Sequence, residues 1–340
     1  MQPKVTVLIP NYNGSRFLEH CFEGLLAQSF SDFDCIFLDD GSTDNSLEIA
    51  ERYQSRLPQL QILTFRNGGI ATNWNRGVEL VKTEYFTLLH CDDSYHSNYL
   101  ELMVALLEAH PESAISHCGA QVINGQSEEV FSLTEYYKHA LFLPNQAFER
   151  DIAVEYRLLL TGDFINCPSV MYRTQSIKLV GPFNQELEQT LDWEYWFRVL
   201  RAGFKICGTD KKLYRYRRHD ANHTIINSKS FARYEEELTS FDDAFEQGVA
   251  FGFISGRPDY SGIRNIVIVD IAQALRMRNV AATEGLISFL ERSFITETPT
   301  IMVLKLLKGL GRLGGYGLYF SIYSAILVAV LVSFLPRSNR

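Results

Sequence analysis

The hydrophobic and polar positions of the first hundred residues alternate between two periods. Four apolar, β-rich runs each end in polar or turn-forming residues: 5–9, 33–38, 61–65 and 85–90. After the first run, apolar residues recur at the spacing of one helix face, namely Leu18, Cys21, Phe22 and Leu25. Strands that alternate with helices at this spacing are typical of parallel βαβ units. The pattern predicts an α/β fold with a Rossmann-like, mostly parallel sheet flanked by helices.

The pattern is less regular after this point. It predicts a helix over 98–110, a strand over 115–122 and strand character within 162–173, whereas 131–156 stays unassigned. A further apolar stripe at helical spacing consists of Trp193, Trp196, Phe197 and Leu200. This helix should begin near residue 191 with Asp192 as its N-cap, and Gly203 is well placed to end it.

The C-terminal third is predicted to be helical, over 231–248, 263–279 and 281–294. Residues 301–308 form a basic amphipathic segment of the kind that lies on an anionic membrane surface. Residues 313–336 contain no charged residue in 24 positions, and a helix of that length, about 35 Å, can cross a bilayer. A buried helical hairpin or an oligomer contact is the alternative. The predicted division is a catalytic domain over 1–223, a helical extension over 224–298 and a membrane-associating segment over 299–340.

Composition narrows the classes of function. The chain has 340 residues, 46% of them hydrophobic and 21% charged, which suits a folded protein with a large core. Its net charge of -8 gives no support to nucleic-acid binding. Six scattered cysteines fit buried thiols in a reducing compartment, and we expect no signal peptide before the first strand. We therefore expect the protein on the cytoplasmic side of the cell membrane, attached through its C-terminal region.

Three polar loops, 10–14, 39–44 and 91–94, should emerge at one edge of the sheet, where open α/β folds bind ligands. These loops contain neither of the glycine-rich phosphate motifs, which disfavours dinucleotide-dependent redox chemistry and P-loop phosphate binding. Asp40 can accept a hydrogen bond from a base, and Tyr12 offers a surface for stacking. Asp92 and Asp93 are suited to a divalent cation that neutralises a diphosphate. Together these residues predict a site for a nucleoside diphosphate.

Three motifs carry a family resemblance: residues 7–13 (Val-Leu-Ile-Pro-Asn-Tyr-Asn), 38–44 (Leu-Asp-Asp-Gly-Ser-Thr-Asp) and 90–93 (His-Cys-Asp-Asp). Over residues 4–223 the chain resembles the family-2 inverting glycosyltransferases of GT-A fold. The resemblance implies transfer of a sugar from a nucleotide-diphosphate sugar to a hydroxyl of a saccharide or lipid-linked acceptor. Synthesis of a cell-surface polysaccharide or glycolipid is the expected setting, with Mg²⁺ or Mn²⁺ as cofactor.

The resemblance also implies roles for individual residues. The expected nucleotide contacts are Pro10, Tyr12, Asp40 and Asn67. The expected contacts to the donor sugar and diphosphate are Asp92, His90, Arg218 and His219, and the expected metal ligands are Asp92, Asp93 and His219. Asp192 is the expected general base, because a helix N-terminus keeps a carboxylate ionised. Glu194 is the fallback base, and Asp163 and Asn166 are candidate pocket-lining residues.

The sequence departs from the family pattern at three positions. His90 replaces the first aspartate of the usual Asp-x-Asp, and Leu191 replaces the acid that usually precedes the base. Trp74 stands where many members carry arginine, so Trp74 is a core-packing candidate and Arg76 a possible substitute for the charge. A catalytically silent nucleotide-sugar-binding or assembly protein at the membrane is therefore the alternative function. A hydrolase would need two opposed carboxylates and an ordered water, and is disfavoured.

Overall fold

The computed structural model describes residues 3–219, 232–260, 262–263, 267, 271 and 280–293. The strands in these ranges are β1 (Val5–Asn11), β2 (Phe33–Asp39), β3 (Leu60–Thr64), β4 (Tyr85–Leu88), β5 (Ser94–Tyr95), β6 (Ser113–Ile123), β7 (Phe148–Glu149), β8 (Met171–Arg173) and β9 (Lys205–Arg217). The helices that alternate with them are α1 (Ser15–Leu26), α2 (Ser46–Tyr53), α3 (Ile70–Leu80), α4 (Tyr99–Ala109), α5 (Leu133–Phe142), α6 (Ile152–Leu159), α7 (Thr174–Val180) and α8 (Leu191–Arg201).

The nine strands of the described ranges form one sheet, in the order β3-β2-β1-β4-β8-β6-β9-β5, with β7 on β9. β3, β2, β1 and β4 are parallel, as predicted. β8 is antiparallel to β4 and β6, and β5 and β7 are antiparallel to β9. β6 and β9 are parallel to each other. The prediction of a mostly parallel sheet is therefore correct for β1 to β4 and for the β6–β9 pair but not for β5, β7 and β8, and the sheet is mixed. The chain enters β8 from a 3₁₀ turn at the carboxyl end of β4, so β8 has to run back across the sheet.

Burial explains why α1 packs where it does. The inward side chains of β1 are fully buried, and the predicted helix face of Leu18, Cys21, Phe22 and Leu25 covers the same cluster. Each large apolar side chain buried in this way contributes about 1.5–3 kcal/mol. The prediction of this helix is confirmed, and its packing fixes the loop between β1 and α1 at the carboxyl edge of the sheet.

Several element bounds differ from the predictions. β4 ends at Leu88, so His90 lies in the turn that follows instead of in the strand. The unassigned stretch 131–156 contains α5, β7 and the start of α6. α8 ends as predicted, with Gly203 at φ +86° and with hydrogen bonds from Gly203 N to Leu200 O and from Phe204 N to Val199 O. Those two bonds define a Schellman C-cap.

The chain divides into two compact units, and the sheet belongs to the first, which comprises Met1–Leu159, Asp163–Asp220 and Glu246–Ile254. The predicted helices over 231–248 and 281–294 are present as Ala232–Ala250 and Val280–Ser293. Within the described ranges, no helix combines the length and the hydropathy that a membrane span requires. The segments 301–308 and 313–336 lie outside those ranges. The division at residues 223 and 298 stays a prediction.

Candidate functional site

The loops that follow β1 and β2 are joined by side-chain hydrogen bonds. The amide of Asn11 donates to Asp39 Oδ1 (3.1 Å) and to Ser42 Oγ (3.0 Å). The other oxygen of Asp39 accepts from the Ser42 backbone N–H at 3.0 Å. Asp39 is completely buried, so its carboxylate is a structural element of the loop.

Asp40 is 3% exposed, and its carboxylate accepts hydrogen bonds from three protein partners. The backbone N–H groups of Gly68 and Gly69 donate at 2.9–3.1 Å, and Arg76 Nη1 donates at 2.9 Å. Gly69 has φ +84°, a conformation in which glycine is favoured. Asp40 thus ties the β3–α3 loop to the end of β2, and its contact with a base stays a prediction. Arg76 pairs its positive charge with Asp40, and its role as a substitute for the usual arginine stays a prediction.

The other predicted nucleotide contacts surround this loop. Tyr12 follows β1 directly and is 55% exposed, so its ring is accessible for stacking. Pro10 is half-buried in β1, where it pairs with Leu38 of β2. Asn67 is exposed and directly precedes Gly68. These residues share the carboxyl edge of β1, β2 and β3, as the sequence predicts, and their contacts with a nucleotide stay predictions.

Asp92 and Asp93 occupy the turn after β4 in two different environments. Asp93 is 1% exposed, and it accepts hydrogen bonds from Tyr214 Oη (2.5 Å) and from the Arg217 backbone N–H (2.8 Å). Burial, followed by the nearby Asp92 charge, raises the pKa of Asp93 well above its usual value. Asp92 is more open, with its side chain 25% exposed. Asp92 is thus the more accessible of the two carboxylates, while hydrogen bonds hold Asp93 within the turn; the metal-ligand roles of both stay predictions.

The residues after β9 complete this side of the site. His219 Nε2 donates to Asp92 Oδ2 at 3.0 Å. Burial by itself would raise the pKa of Asp92, but the hydrogen bond from His219 and the nearby His90 lower it below the usual value. Arg218 is half-buried and donates to Tyr216 Oη at 3.1 Å. The structure therefore brings the predicted diphosphate residues Asp92 and His219 into direct contact.

The position and the ring nitrogen Nε2 of His90 are suited to binding a metal. One ligand atom each of His90, Asp92 and Asp93 lies within 4.8 Å of the others. Nε2 of His90 is buried and has no hydrogen-bond partner among the described residues, and burial lowers the pKa of the ring. The ring is therefore neutral near pH 7, which is the form that binds metals. This donor set of one imidazole and two carboxylates suits a divalent cation. A ligand role for His219 stays a prediction, since its Nε2 is directed at Asp92.

Trp74 packs against His90, at 5.5 Å between ring centroids, and against Phe183, at 5.2 Å. Its side chain is 4% exposed. The core-packing interpretation of Trp74 is therefore correct. This packing also fixes the ring plane of His90 in the turn.

Asp192 lies at the same sheet edge as Asp92. Burial raises the pKa of the Cys167 thiol, and the negative charge of Asp192 raises it further. Asp192 therefore lies close to Cys167. Cys167 begins the 3₁₀ turn that leads into β8, and Met171 of β8 pairs with Thr87 of β4. Because β8 and β4 are antiparallel, the start of β8 lies at the carboxyl end of β4. The candidate base and the candidate metal site therefore share one edge.

The predicted capping role of Asp192 is wrong. The N-cap of α8 is Thr190, and Asp192 is the second residue of the helix. Its Oδ1 accepts from the Trp193 backbone N–H at 2.9 Å, and the side chain is half-buried. The position is still within the first turn, where the helix dipole favours a carboxylate. Glu194, the fallback, is paired instead with Arg198 at 2.7 Å.

The two candidate lining residues lie beside this edge. Asn166 accepts from Lys138 Nζ at 2.9 Å and donates to Glu135 Oε2 at 3.0 Å. Asp163 is half-buried. Burial by itself would lower the pKa of Lys138, but the charge of Glu135 and, to a smaller extent, that of Asp163 raise it above its usual value. Lys138 and Glu135 come from α5, within the unassigned stretch, so no periodic signal identified them. Arg217 was also missed as a site residue, because a basic run at a strand end is typical of a solvated surface.

Comparison with known proteins relates part of this chain to one family. The sequence profile of the family described as Glycosyl transferase family 2 matches residues 6–164. An uncharacterised glycosyltransferase of Rickettsia typhi is 27% identical over 245 residues, which cover 70% of this chain and 71% of that protein. Chondroitin synthase of Pasteurella multocida is 23% identical over 252 residues, which cover 71% of this chain and 24% of that enzyme.

Solved structures agree on the fold. S. aureus TarS 1-349 in complex with UDP-GlcNAc superimposes with a TM-score of 0.57 at 19% identity, over 82% of this chain and 83% of that one. The mannosyltransferase PcManGT of Pyrobaculum calidifontis, in complex with GDP-Man and Mn²⁺, gives 0.55 at 14% identity, over 100% of this chain and 89% of that one. Residues 6–164 of this chain therefore form a glycosyl transferase family 2 domain, and the solved structures support the GT-A fold as its architecture.

Proposed function

We propose that this chain is an inverting glycosyltransferase that moves a sugar from a nucleoside diphosphate to an acceptor hydroxyl. The observation that carries the proposal is the shared sheet edge of Asp92 and Asp192, which puts a diphosphate anchor and a base on one side of the molecule. Family membership supports sugar transfer as the reaction. Inversion fits a site whose chemistry requires one base.

The donor is proposed to lie across the carboxyl ends of β1, β2 and β4. The exposed ring of Tyr12 would stack on the base, while Asp40 and Arg76 hold the loop that carries Asn67. His219 and Arg218 would face the diphosphate from the end of β9. The ligands in the related structures, UDP-GlcNAc in TarS and GDP-Man in PcManGT, support a nucleotide sugar as donor.

Asp92 and His90, with Asp93 behind them, would hold Mg²⁺ or Mn²⁺. A bound divalent cation stabilises the charge that develops on a diphosphate leaving group. Mn²⁺ in the PcManGT structure supports this choice of cofactor. The neutral imidazole of His90 would take the place of the aspartate that is usual at this position, so metal binding survives the substitution.

Asp192 is proposed to remove the proton from the acceptor hydroxyl. The hydroxyl oxygen then forms a bond to the anomeric carbon on the face opposite the nucleoside diphosphate. The bond from that carbon to the diphosphate oxygen breaks, its electron pair leaves with the nucleoside diphosphate, and the proton stays on the Asp192 carboxylate. Lys138, Glu135 and Asn166 are joined by hydrogen bonds and would line the pocket for the sugars.

The acceptor is proposed to be a saccharide or a lipid-linked glycan at the cytoplasmic face of the membrane. The similarity to chondroitin synthase supports glycan synthesis. The uncharged stretch 313–336 and the basic segment 301–308 support membrane attachment. Removal of residues 299–340 should therefore release the protein from the membrane fraction.

A two-step assay tests the proposal. Thermal shift against a panel of nucleotide sugars, with Mn²⁺ or Mg²⁺, should reveal one donor that stabilises the protein. That donor should then yield free nucleoside diphosphate only in the presence of both acceptor and metal. Donor binding without transfer to any of a broad set of acceptors would contradict the proposal and favour a silent nucleotide-sugar-binding protein.

A further inference from the structure

Arg217, the last residue of β9, is fully buried and uses its whole guanidinium in hydrogen bonds. Nε donates to the Asp92 carbonyl oxygen at 2.7 Å, and Nη1 donates to the Asn124 carbonyl oxygen at 2.8 Å and to Ser127 Oγ at 3.0 Å. Nη2 donates to His20 Nδ1 at 2.9 Å. A buried guanidinium is costly unless such partners are in place.

Two of the contacts of Arg217 fix the turn after β4. The side chain holds the main chain of Asp92, and the backbone N–H of Arg217 holds the Asp93 carboxylate. The planar guanidinium sets the direction of the bond to the Asp92 carbonyl oxygen, and the single ammonium of a lysine cannot reproduce that geometry. The bond to Asp93 comes from the backbone and does not depend on the side chain. Arg217 thereby holds the main chain of Asp92 through its side chain and the carboxylate of Asp93 through its backbone.

The guanidinium also acts on His219 through an aromatic ring. Arg217 Cζ lies 4.6 Å from the centroid of Phe17, and the His219 ring lies 4.6 Å from the same phenyl ring. His219 in turn donates to Asp92. Arg217, Phe17, His219 and Asp92 thus form a closed set of contacts around the site.

We propose that Arg217 is a positioning residue for the proposed diphosphate and metal site. From its buried position, Arg217 holds Asp92, Asp93 and His219 in place. This inference rests on the proposed function only for its catalytic consequence. The geometry itself can be tested without substrate or metal. His20 is part of the same arrangement, because its Nδ1 accepts the hydrogen bond that orients Nη2 of the guanidinium.

Arg215 provides a matched control on the same strand. Its Nη1 donates to the Tyr95 carbonyl oxygen at 3.3 Å, and its Nη2 lies 3.1 Å from His96 Nδ1. Arg215 therefore makes the same two kinds of contact as Arg217, a carbonyl and an imidazole, but with β5 and the residue after it instead of the Asp92–Asp93 turn.

The first test measures the alkylation rate of Cys91 by iodoacetamide, resolved by peptide mass spectrometry. Cys91 is half-buried between His90 and Asp92, so its reactivity reports opening of the turn. Arg217→Lys should raise the rate at Cys91 roughly tenfold by local opening, with no rise at Cys35 or Cys207, which report global unfolding. Arg215→Lys should leave the rate at Cys91 within about twofold of the wild-type value. Equal rates in the two variants, or a rise at all three cysteines in Arg217→Lys, would overturn the proposal.

The second test measures Mn²⁺ binding to the full chain by loss of the free-ion EPR signal. Arg217→Lys should weaken Mn²⁺ binding about tenfold, and Arg215→Lys should not weaken it. Undiminished Mn²⁺ affinity in folded Arg217→Lys overturns the proposal. If the wild type binds no Mn²⁺, the metal part of the proposed function fails and the Cys91 rates alone decide about Arg217.

His20 variants keep the inference testable if Arg217→Lys does not fold. His20→Asn retains an acceptor close to the place of Nδ1, whereas His20→Leu removes it. Cys91 should be protected in His20→Asn and several-fold more reactive in His20→Leu. Equal reactivity of Cys91 in these two variants would contradict the proposal.

Discussion

Arg76 Nη1 lies 2.9 Å from Asp40 Oδ1 and connects α3 to the end of β2. The Asp40 side chain is 4% exposed and that of Arg76 is 28% exposed, so the pair is partly shielded from solvent. Arg76 also spans the β3–α3 loop, since it donates to the Arg66 carbonyl oxygen at 3.2 Å. This ion pair ties the β3–α3 loop to the end of β2 without any bound ligand.

Arg76→Met should lower the free energy of unfolding by about 2 kcal/mol, because a buried carboxylate loses its charged donor. It should also weaken nucleoside diphosphate binding, since the loop that carries Asn67 loosens. Chemical denaturation and calorimetry measure the two effects. Arg66→Met is the control, because only the backbone of Arg66 takes part in the bond to Arg76. Equal behaviour of the two variants would contradict the role of the ion pair.

Tyr12→Ala should weaken binding of the nucleoside diphosphate by about 1–3 kcal/mol, the usual contribution of a base stacked on an aromatic ring. Tyr12→Phe should retain the affinity. Calorimetric titration measures both. Tyr12 is 55% exposed, so neither change should lower the melting temperature. Tyr136→Ala, at another exposed aromatic, is the control; if Tyr12→Ala binds as tightly as that variant, the stacking assignment fails.

His90→Leu should separate stability from metal binding. Because His90 Nε2 is buried without a partner among the described residues, an apolar side chain should raise the melting temperature by about 2–4 °C. The same change should weaken Mn²⁺ binding about tenfold by removing a ligand. Scanning calorimetry and EPR titration measure the two quantities.

His139→Leu is the control for this experiment. His139 Nε2 shares a hydrogen bond with the Asp210 carbonyl oxygen at 2.9 Å, so its loss should lower the melting temperature and leave Mn²⁺ binding unchanged. A melting temperature that falls in His90→Leu while Mn²⁺ still binds normally would identify His90 as a structural residue only.

His117 should make the protein sensitive to mild acid. Burial, with a smaller contribution from Arg150, lowers the pKa of His117 to about 3. The unfolded state, with a histidine pKa of about 6.5, therefore binds one proton more than the folded state between these values. The free energy of unfolding should fall as the pH decreases below about 6.5, by about 1.4 kcal/mol per pH unit.

Urea denaturation of wild type and His117→Gln at pH 7.5 and pH 5 measures this effect. The loss of stability between the two pH values should be about 2 kcal/mol smaller in the variant. A loss of the same size in both proteins would contradict the assignment to His117.

The sequence predicts the helices and strands whose apolar residues follow a regular period. It does not predict features that depend on a single tertiary contact. The face of α1, the four parallel strands and the Gly203 cap follow from spacing and backbone conformation. The reversal of β8 has no periodic signal, because a strand of three residues is too short to display one. The sequence also places Asp192 correctly at the start of α8, but it does not predict that Thr190 is the N-cap.

The candidate site, like the fold, can be predicted from the sequence only in part. Motif and position predict Tyr12, Asp92 and His219 as site residues. Tyr12 and Asp92 lie at one sheet edge, and His219 contacts Asp92. The donors to Asp40, the unpartnered Nε2 of His90 and the burial of Arg217 depend on segments far apart in sequence. Arg217, for example, contacts a turn that lies 125 residues earlier. Contacts between such distant segments are not encoded in any local pattern.

The most direct test of the account is the transfer rate of Asp192→Asn with saturating donor, metal and acceptor. A lost general base should slow the transfer step about 10²- to 10⁴-fold, while donor affinity stays near that of the wild type. Glu194→Gln, at the neighbouring acid that pairs with Arg198, should keep the transfer step within about tenfold of the wild-type rate. A wild-type transfer rate in Asp192→Asn would contradict the proposed catalytic centre.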